Sequence, residues 1–306
     1  MRKVIGIGET VLDIIFKKEQ PIGAYPGGSA FNAIISLARA GVSTAFIGEA
    51  GHDRVGQNII KFLKDNGVDA SNVTAFPGSK SPVSLAFLDD NDAEYIFYKD
   101  HPHDQLDFIY PDIHPDDIVL FGSFFAVNPV VRPQIVGLLD YARAHGAIIY
   151  YDVNYRMSHK DDVMKITPNY LENLEYADIV RGSREDFDVL YKLDNPDKVY
   201  QAEISFYSKK FIYTAGANPV RLYADNGLRK SYDVAPMQTV STVGAGDNFN
   251  AGFIYGLLKN NITRADIENG LTEQQWDDCV TSGQRFSAEA CKTIFNYIPT
   301  DSTLCK

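Results

Sequence analysis

Cysteine is scarce in this sequence, with three residues, Cys279, Cys291 and Cys305, among 306. Their number is odd and no pair has the Cys-x-x-Cys spacing of a zinc site, so a disulfide scaffold and a zinc ribbon are both excluded. Glu9 and Asp13 interrupt the apolar core that a secretory signal would need. We therefore expect a protein of a reducing, cytoplasmic compartment.

The sequence also lacks a surplus of positive charge and any long apolar run. Its 29 Lys and Arg residues face 40 Asp and Glu residues, a net charge of −11, whereas nucleic-acid binding relies on a basic surplus. No stretch approaches the ~18–20 apolar residues that cross a bilayer. Hydrophobic residues make up 45% and charged residues 23%, which is typical of globular domains. We predict no nucleic-acid partner and no membrane partner.

Helices that end in glycine organise the chain. A glycine after a helix takes the left-handed conformation that closes it, and repeated helix–strand joints indicate a parallel sheet with helices on both faces. The helical segments are residues 33–40 before Gly41, 59–66 before Gly67 and 135–145 before Gly146, and unbroken apolar runs typical of central strands lie at 4–7, 118–121 and 211–214. We predict one domain over residues 1–306, an α/β fold whose three-layer α/β/α body has a mainly parallel central sheet.

Two stretches depart from this pattern. Residues 82–99 are typical of a β-hairpin around a polar turn, and with residues 11–16 they predict a small antiparallel sheet. This sheet would form a lid from about residues 10–25 and 82–110. A second hairpin is predicted over residues 220–232, around Asn226-Gly227 as a two-residue turn.

The sharpest local signal is Gly244-Ala245-Gly246-Asp247, which opens a helical run to Leu258. Small residues at a helix start leave backbone N–H groups exposed, and with the helix dipole these groups hold a phosphoryl group as its charge grows. Asp247 would then act as the base that takes the proton from an attacking hydroxyl. The alternative is that Asp247 only caps the helix.

The glycine loop and five further elements, in order along the chain, resemble those of the ribokinase-like (PfkB) carbohydrate kinases. The elements are Gly8-Glu9-Thr10-Val11-Leu12-Asp13, Pro26-Gly27-Gly28-Ser29-Ala30-Phe31-Asn32-Ala33, Gly48-x-x-Gly51-x-Asp53-x-x-Gly56, Asp152-Val153-Asn154-Tyr155-Arg156, Thr214-Ala215-Gly216-Ala217 and Thr242-Val243-Gly244-Ala245-Gly246-Asp247. Six elements in one order are far more specific than any one of them. The resemblance covers nearly the whole chain.

The resemblance implies an ATP-dependent sugar kinase with the ribokinase-like fold, in which the closed lid expels water. It implies Asp247 as base, with the N–H groups of Ala245, Gly246 and Asp247 stabilising the transferred charge beside Gly244. The implied substrate-binding residues are Asp13, Gly27, Gly28, Asn32, Lys99 and Arg156; the implied nucleotide-binding residues are Ser183, Asp186, Thr214, Gly216, Ala217, Gly244 and Gly246. We expect Mg²⁺ to arrive with ATP, Asp186 to act on that metal indirectly, and a monovalent cation as a further candidate cofactor. The exposed edges of the lid also predict a homodimer.

Two departures from the family pattern bear on catalysis. Ser241 stands where the signature usually begins with Asp, and Ser183-Arg184-Glu185-Asp186 stands where the family has Asn-x-x-Glu. Ser and Asp keep oxygen ligands suited to Mg²⁺, but the shorter side chain of Asp moves the carboxylate. These departures keep open an alternative of another class, a sugar-binding protein that has lost catalysis.

The elements favour the fructokinase branch, and the 2-keto-3-deoxygluconate kinase branch is the nearest rival. An acid substrate needs a cation for its carboxylate, so Lys99→Ala separates the two predictions. Val11 occupies the third glycine position of a dinucleotide fingerprint and no Walker motif occurs, so dehydrogenases and P-loop kinases are excluded. His101, His103, Asp104 and His114 are interpreted as a polar loop rather than a metal site. The aromatic residues Tyr95, Phe97, Tyr98, Phe124 and Phe125 are predicted to pack the lid and core, with a sugar face as an alternative contact.

Overall fold

The computed structural model describes residues 2–88, 93–98, 106–302 and 304, and within them thirteen strands form two sheets. The strands are β1 Lys3–Ile7, β2 Val11–Lys17, β3 Gln20–Gly27, β4 Ser43–Gly51, β5 Asp69–Phe76, β6 Val83–Leu88, β7 Ala93–Tyr98, β8 Ile118–Gly122, β9 Ile148–Asp152, β10 Ile179–Ser183, β11 Phe211–Ala215, β12 Asn218–Tyr223 and β13 Arg229–Tyr232. The α-helices are α1 Ser29–Arg39, α2 Arg54–Asp65, α3 Ser123–Val127, α4 Arg132–Ala144, α5 Val163–Tyr176, α6 Arg184–Tyr191, α7 Pro196–Val199, α8 Ala245–Lys259, α9 Arg264–Asn269 and α10 Glu273–Ala290.

The large sheet has nine strands in the order β13-β12-β11-β10-β9-β8-β1-β4-β5. All neighbours are parallel except β11–β12 and β12–β13, which are antiparallel. Gly41, Gly67 and Gly146 follow α1, α2 and α4 with φ of 81°, 77° and 74°, the left-handed conformation that the sequence predicted for a closing glycine. The predicted α/β class with a mainly parallel sheet is therefore confirmed.

Helices cover both faces of the large sheet because its strands are apolar on both sides. On one face the buried side chains of α1, α2, α8 and α10 pack together, with Phe31, Phe253 and Trp276 among the largest. On the other face α3, α4, α5 and α6 enclose a second apolar cluster around Tyr151 and Phe187. The polar site must therefore lie at one edge of the sheet. In the part of the chain that the structure describes, no helix has the length and apolarity to span a membrane.

The small sheet stands over one end of the large one, in the order β3-β2-β6-β7. It has the predicted strands, but the prediction of an antiparallel sheet is wrong for one pair, because β2 and β6 run parallel from Leu12↔Val83 onward. Both strands leave the body at the same edge, where Leu12 N donates to Pro82 O, so they run outward together. The lid strands extend to Gly27, and Lys99, His101, His103 and Asp104 lie outside the described residues. Dimerisation through this lid stays a prediction.

Asp53 of the Gly-x-Asp-x-x-Gly element fastens the base of the lid to the body. Its carboxylate accepts hydrogen bonds from the Gly56 N–H at 2.7 Å, which caps α2, and from the N–H and hydroxyl of Ser81 at 2.7 and 2.8 Å. These hydrogen bonds lower the pKa of Asp53, although burial opposes them. The element thus fixes the point from which β6 leaves the body.

The second hairpin is present, but its predicted two-residue turn is not. The last pair of facing residues is Tyr223↔Arg229, and the five residues between them contain a 3₁₀ turn, Asp225–Gly227. Asp225 forms an ion pair with Lys210 at 2.8 Å, and its carbonyl oxygen accepts from Leu228 N at 3.3 Å, which closes the turn. Asn226-Gly227 therefore lies inside a wider loop at the edge of the large sheet.

Candidate active site

A cleft lies between the lid and the carboxyl ends of β1 and β8. In the sheet order β1 has β8 on one side and β4 on the other, so the chain winds in opposite directions from this point, where open α/β sheets bind ligands. Six predicted site residues line the cleft: Asp13, Gly28, Asn32, Arg156, Gly244 and Asp247.

Asp247 lies in the first turn of α8 and is only 7% exposed. The Asn32 amide donates to its Oδ2 at 2.8 Å. The N-cap of α8 is Gly244, so Asp247 does not cap the helix, and the alternative interpretation is wrong. Burial raises the pKa of Asp247 to about 6; the Asn32 hydrogen bond opposes this rise, whereas the neighbouring Asp152 carboxylate adds to it. At neutral pH the carboxylate is ionised and is a stronger base than an exposed aspartate.

The glycine loop presents two backbone donors rather than the predicted three. Ala245 N already donates to Thr242 O at 3.1 Å, so its N–H group is not available for a phosphoryl group. The N–H groups of Gly246 and Asp247 have no acceptor within residues 2–88, 93–98, 106–302 and 304. Ser241 Oγ accepts from Val243 N at 3.1 Å. The serine that stands where the family usually has Asp therefore shapes the turn before the loop. The start of α8 therefore presents a pair of backbone donors, at residues 246 and 247, of the kind that can hold an anion at a helix N-terminus.

Asp13 points from β2 into the cleft and is 5% exposed. The Ser84 hydroxyl, from the neighbouring strand β6, donates to Oδ1, and the Asn296 amide donates to Oδ2 at 2.6 Å. Burial raises the pKa of Asp13, while these two hydrogen bonds and the charge of Arg156 oppose the rise. Two donors therefore orient a buried acceptor towards the cleft.

The glycine pair Gly27-Gly28 lets the chain pass close to Asp13 and Glu9. A Cβ on Gly27 would lie 2.3 Å from Asp13 Oδ2, and one on Gly28 would lie 2.2 Å from the carbonyl oxygen of Glu9. Gly28 also has φ 129° and is the N-cap of α1. Asn32 lies inside α1 rather than at its cap, so its amide is free to reach Asp247.

Arg156 approaches the cleft from the loop after β9. Its guanidinium carbon lies 5.2 Å from the ring centroid of Tyr95, a residue of β7 that lines the cleft beside Phe97. Two of the aromatic residues predicted to pack the lid, Tyr95 and Phe97, thus form a wall of the cleft. Tyr98 does not pack in this way, since it is 59% exposed. Lys99, the other predicted cation, lies outside the described residues.

A further pair of rings lines the opposite side of the cleft. The His159 imidazole stacks on Phe124 with centroids 4.0 Å apart. Phe125 turns away into the core and is 1% exposed, as its predicted packing role requires.

A buried ion pair that the sequence analysis did not identify lies beneath the glycine loop. Arg181 Nη1 contacts Asp152 Oδ1 at 2.9 Å, and Nη2 donates to Thr214 Oγ1 at 2.5 Å. Asn250 donates to the other oxygen of Asp152 at 2.8 Å. A Cβ on Gly246 would lie 2.8 Å from Arg181 Nη2, so the guanidinium packs against the loop itself. The one sequence feature that could have pointed to this ion pair was a lone arginine in the apolar strand β10.

Two of the predicted nucleotide-binding residues, Gly244 and Gly246, belong to the glycine loop and the first turn of α8, and Gly244 lines this cleft. The other five lie at or just beyond the carboxyl ends of β10 and β11, outside that lining: Ser183, Asp186, Thr214, Gly216 and Ala217. Ser183 and Thr214 face each other in register, and Gly216, with φ 57°, turns the chain into β12 beside Ala217. No protein atom lies within 4 Å of a Cβ built on Gly216, so one face of this turn is open among the described residues. Ser183 and Asp186 form a capping box at the start of α6.

Asp186, the predicted indirect metal contact, is committed to the backbone. Its Oδ2 accepts from Ser183 N at 2.6 Å and its Oδ1 from Tyr155 N at 2.8 Å. Burial raises the pKa of Asp186 to about 7, although the positive charge of Arg181 opposes this rise.

His114, from the polar loop that was not interpreted as a metal site, pairs with Asp112 at 3.0 Å on the surface. The described part of the chain contains no cluster of three or more His, Cys, Asp or Glu residues able to hold a metal ion.

Comparison with known proteins identifies the family of this chain. The model of the pfkB family of carbohydrate kinases matches residues 1–298, and the chain belongs to this family. The predicted family resemblance is thereby confirmed. The chain is 32% identical over 247 residues to the 5-dehydro-2-deoxygluconokinase of Geobacillus thermodenitrificans (strain NG80-2), which covers 76% of this chain and 72% of that protein.

Two solved structures share the fold at lower sequence identity. The fructokinase of Vibrio cholerae O395, bound to fructose, ADP and calcium, is 20% identical with a TM-score of 0.83 and covers 97% of this chain and 94% of its own. The aminoimidazole riboside kinase of Salmonella enterica, bound to its riboside and an ATP analogue, is 21% identical with a TM-score of 0.79 and covers 96% and 95%. At these identities the likeness supports the ribokinase-like fold.

Proposed function

We propose that this carbohydrate kinase transfers the γ-phosphoryl group of ATP to a hydroxyl of a keto sugar acid. One observation carries the proposal: the buried carboxylates of Asp247 and Asp13 line one cleft at the start of α8, each held by an asparagine amide. In this proposal Asp247 is the base, and Asp13 accepts hydrogen bonds from hydroxyl groups of the substrate.

In this proposal, Asp13 and Asn32 bind hydroxyl groups and place the attacking one against Asp247. The proton of that hydroxyl moves to the Asp247 carboxylate as its oxygen bonds to the γ-phosphorus and the bond to ADP breaks. The N–H groups of Gly246 and Asp247, at the positive end of the α8 dipole, stabilise the charge on the transferred group. Closure of the lid over the cleft excludes water as a competing acceptor.

Two features support an acid as the substrate. Arg156 places a permanent positive charge in a cleft that is also lined by three acidic residues, Glu9, Asp13 and Asp247. A guanidinium binds a carboxylate in a bidentate manner. The 32% identical relative is named for 5-dehydro-2-deoxygluconate, a keto sugar acid. 2-Keto-3-deoxygluconate belongs to the same chemical class. Fructose, the substrate predicted from the sequence, has the support of the shared fold alone.

ATP fits the described residues through backbone donors and the open turn at Gly216. From the family resemblance we propose that Mg²⁺ arrives with the nucleotide, where it would neutralise phosphate charge. We propose that Asp186 acts on that metal indirectly, because hydrogen bonds from the Tyr155 and Ser183 N–H groups already fix the position of its carboxylate. A monovalent cation stays a prediction from the family resemblance.

The proposed base predicts the pH dependence of the reaction. The pKa of Asp247 is raised to about 6, so its active ionised form is lost as the pH falls through that value. We expect kcat/KM to rise between about pH 5 and pH 7 and then level off. A profile without an acid limb in this range would contradict Asp247 as the base.

The test of the proposal is ADP release with Mg-ATP and a panel of acceptors. The panel contains 5-dehydro-2-deoxygluconate, 2-keto-3-deoxygluconate, fructose, ribose, nucleosides and fructose phosphates, and Asp247→Asn is the control. We expect turnover of a keto sugar acid, and a KM for that acid about 100-fold higher in Arg156→Leu, since a lost charged hydrogen bond costs about 3 kcal/mol. Turnover of fructose with no dependence on Arg156 would support the fructokinase prediction instead.

The same panel tests the alternative of a sugar-binding protein without catalysis. Ser241 and Asp186 depart from the family pattern, but Asp247 and the two loop donors are in place. A sugar that raises the melting temperature while no member of the panel gives ADP would favour the binding protein.

A further inference from the structure

Asn296 lies beyond α10, outside every motif that the sequence analysis identified, and its side chain is fully buried. The side-chain amide donates to Asp13 Oδ2 at 2.6 Å. The main-chain carbonyl of the same residue accepts from Asn248 Nδ2, on α8, at 2.8 Å. Two residues further on, Ile298 N donates to the Ser36 hydroxyl on α1 at 3.1 Å. The segment is therefore anchored to both helices that carry the proposed site.

Both glycine elements of the site pack against Asn296. A Cβ on Gly27 would lie 2.9 Å from Asn296 Nδ2, and a Cβ on Gly244 would lie 2.4 Å from the Asn296 carbonyl oxygen. The substrate side and the glycine loop thus rest on opposite ends of one residue. A side chain at either glycine would displace it.

We propose that Asn296 is a positioning residue for substrate binding, whose amide holds the Asp13 carboxylate as an acceptor for the hydroxyl groups of the sugar. The inference rests on the proposed function. It adds a contact between Asp13 and a residue that lies 283 positions further along the sequence. Asn296 acts through Asp13 and does not itself line the cleft.

The chemistry of Asp13 explains why a donor is needed at this position. An ionised carboxylate only accepts hydrogen bonds, and it has room for a sugar hydroxyl beside each donor it already has. Burial raises the pKa of Asp13 and so favours its protonated form, whereas the hydrogen bonds from Ser84 and Asn296 lower that pKa and favour the ionised form. Without the amide, Asp13 would be free to rotate or to take up a proton.

The charged and titratable groups around Asp13 come from several elements. Arg156 and Tyr297 interact with it electrostatically, and Tyr25 faces it on β3. Glu9 and Asp247 line the same cleft. A new carboxyl group at position 296 would lie closer to Asp13 than any of these, at the distance of the present hydrogen bond.

The first test compares Asn296→Leu with Asn173→Leu. Asn173 is equally buried but is bonded to Arg132 and Ala126, on the other face of the sheet, so its loss is structural only. We expect Asn296→Leu to raise the KM for the sugar about 10- to 100-fold, the range for loss of a hydrogen bond to a charged group, with the KM for ATP unchanged. If both KM values change alike in the two variants, in step with thermal stability, the proposal is wrong.

The second test uses Asn296→Asp, which keeps the size and shape of the side chain. At low pH the new carboxyl group is protonated and donates to Asp13 as the amide does, whereas at higher pH two carboxylates repel each other. We expect the KM for the sugar to be near that of the wild type at about pH 5.5 and to rise towards pH 8.5. A KM that does not depend on pH in this way overturns the proposal.

Failure of the proposed function has a different signature. It would appear as wild-type protein that turns over no member of the acceptor panel. In that case the role of Asn296 is measured on Asp13 itself, by carbon NMR titration of its carboxyl group. We expect a higher pKa for Asp13 in Asn296→Leu than in the wild type, and an unchanged pKa would refute the positioning role.

Discussion

The residues predicted to bind the sugar and those predicted to bind the nucleotide meet different fates in the structure. On the sugar side, Asp13, Asn32 and Arg156 line the cleft together with Asp247. On the nucleotide side, Ser183 and Asp186 cap a helix, Thr214, Gly216 and Ala217 lie at or just beyond the end of β11, and the two glycines of the loop lie at the start of α8. The predicted sugar side consists of buried side chains, whereas the predicted nucleotide side offers helix starts and an open turn. A motif on the sugar side therefore predicts which side chains line the cleft, and a motif on the nucleotide side predicts the shape of the backbone.

The largest expected effect is on the sugar side, at the residue that both substrates would meet. Asp247→Asn keeps an oxygen for the Asn32 amide but removes the base, so kcat should fall about 10²- to 10⁴-fold. Sugar affinity, measured by calorimetry without ATP, should change little because Asp13 is untouched. A variant that retains most of its turnover would show that the hydroxyl loses its proton elsewhere.

The next largest effect is expected at the buried Arg181–Asp152 ion pair, which lies between the predicted sugar side and the predicted nucleotide side. Arg181→Met leaves the Asp152 carboxylate buried and without its cation, so the free energy of unfolding should fall by about 3–5 kcal/mol. The double variant Arg181→Met/Asp152→Asn should recover part of that loss, because the buried group is then neutral. Denaturant unfolding at pH 7 measures both changes.

An exposed ion pair provides the matched control for Arg181. Lys61 and Asp65 form an i,i+4 pair on α2 with side chains 71% and 56% exposed, so Lys61→Met should cost less than about 1 kcal/mol. If Arg181→Met is no more costly than Lys61→Met, the buried pair is not what joins the two sides.

The smallest effect is expected at the turn on the nucleotide side. Gly216→Ala meets no protein atom within 4 Å, but φ is 57°, so the strain should cost about 1 kcal/mol of stability. A larger rise in the KM for ATP than this strain explains would place the nucleotide against the turn. Gly227→Ala is the matched control, since φ is 75° and its surroundings are equally open, while it lies in the β12–β13 loop.

Local signals were enough to predict the fold and part of the site. Glycine-closed helices and unbroken apolar runs predicted the parallel sheet, because both features depend on a few neighbouring residues. The same holds for Asp247, whose loop and helix are contiguous. The prediction of a two-residue turn at Asn226-Gly227 was wrong, since Asp225–Gly227 form a 3₁₀ turn and Asp225 also pairs with Lys210 from another segment.

The residues that the sequence analysis missed depend on contacts between distant segments. Arg181 finds Asp152 across neighbouring strands, and Asn296 finds Asp13 from a part of the chain with no motif. Neither partner is specified by spacing or periodicity. The parallel pairing of β2 with β6 was missed for a related reason, since it depends on where both strands leave the body. A lone arginine in a buried strand was the one local signal.

The contact between Asp13 and Asn296 also bears on the order in which the molecule folds. Its partners are separated by 283 residues, and closing so long a loop is favourable only after intervening segments have folded. The central sheet can therefore form while Asp13 still lacks its second donor. Refolding monitored by circular dichroism should regain secondary structure before it regains affinity for the sugar, so that recognition is the last property the chain acquires.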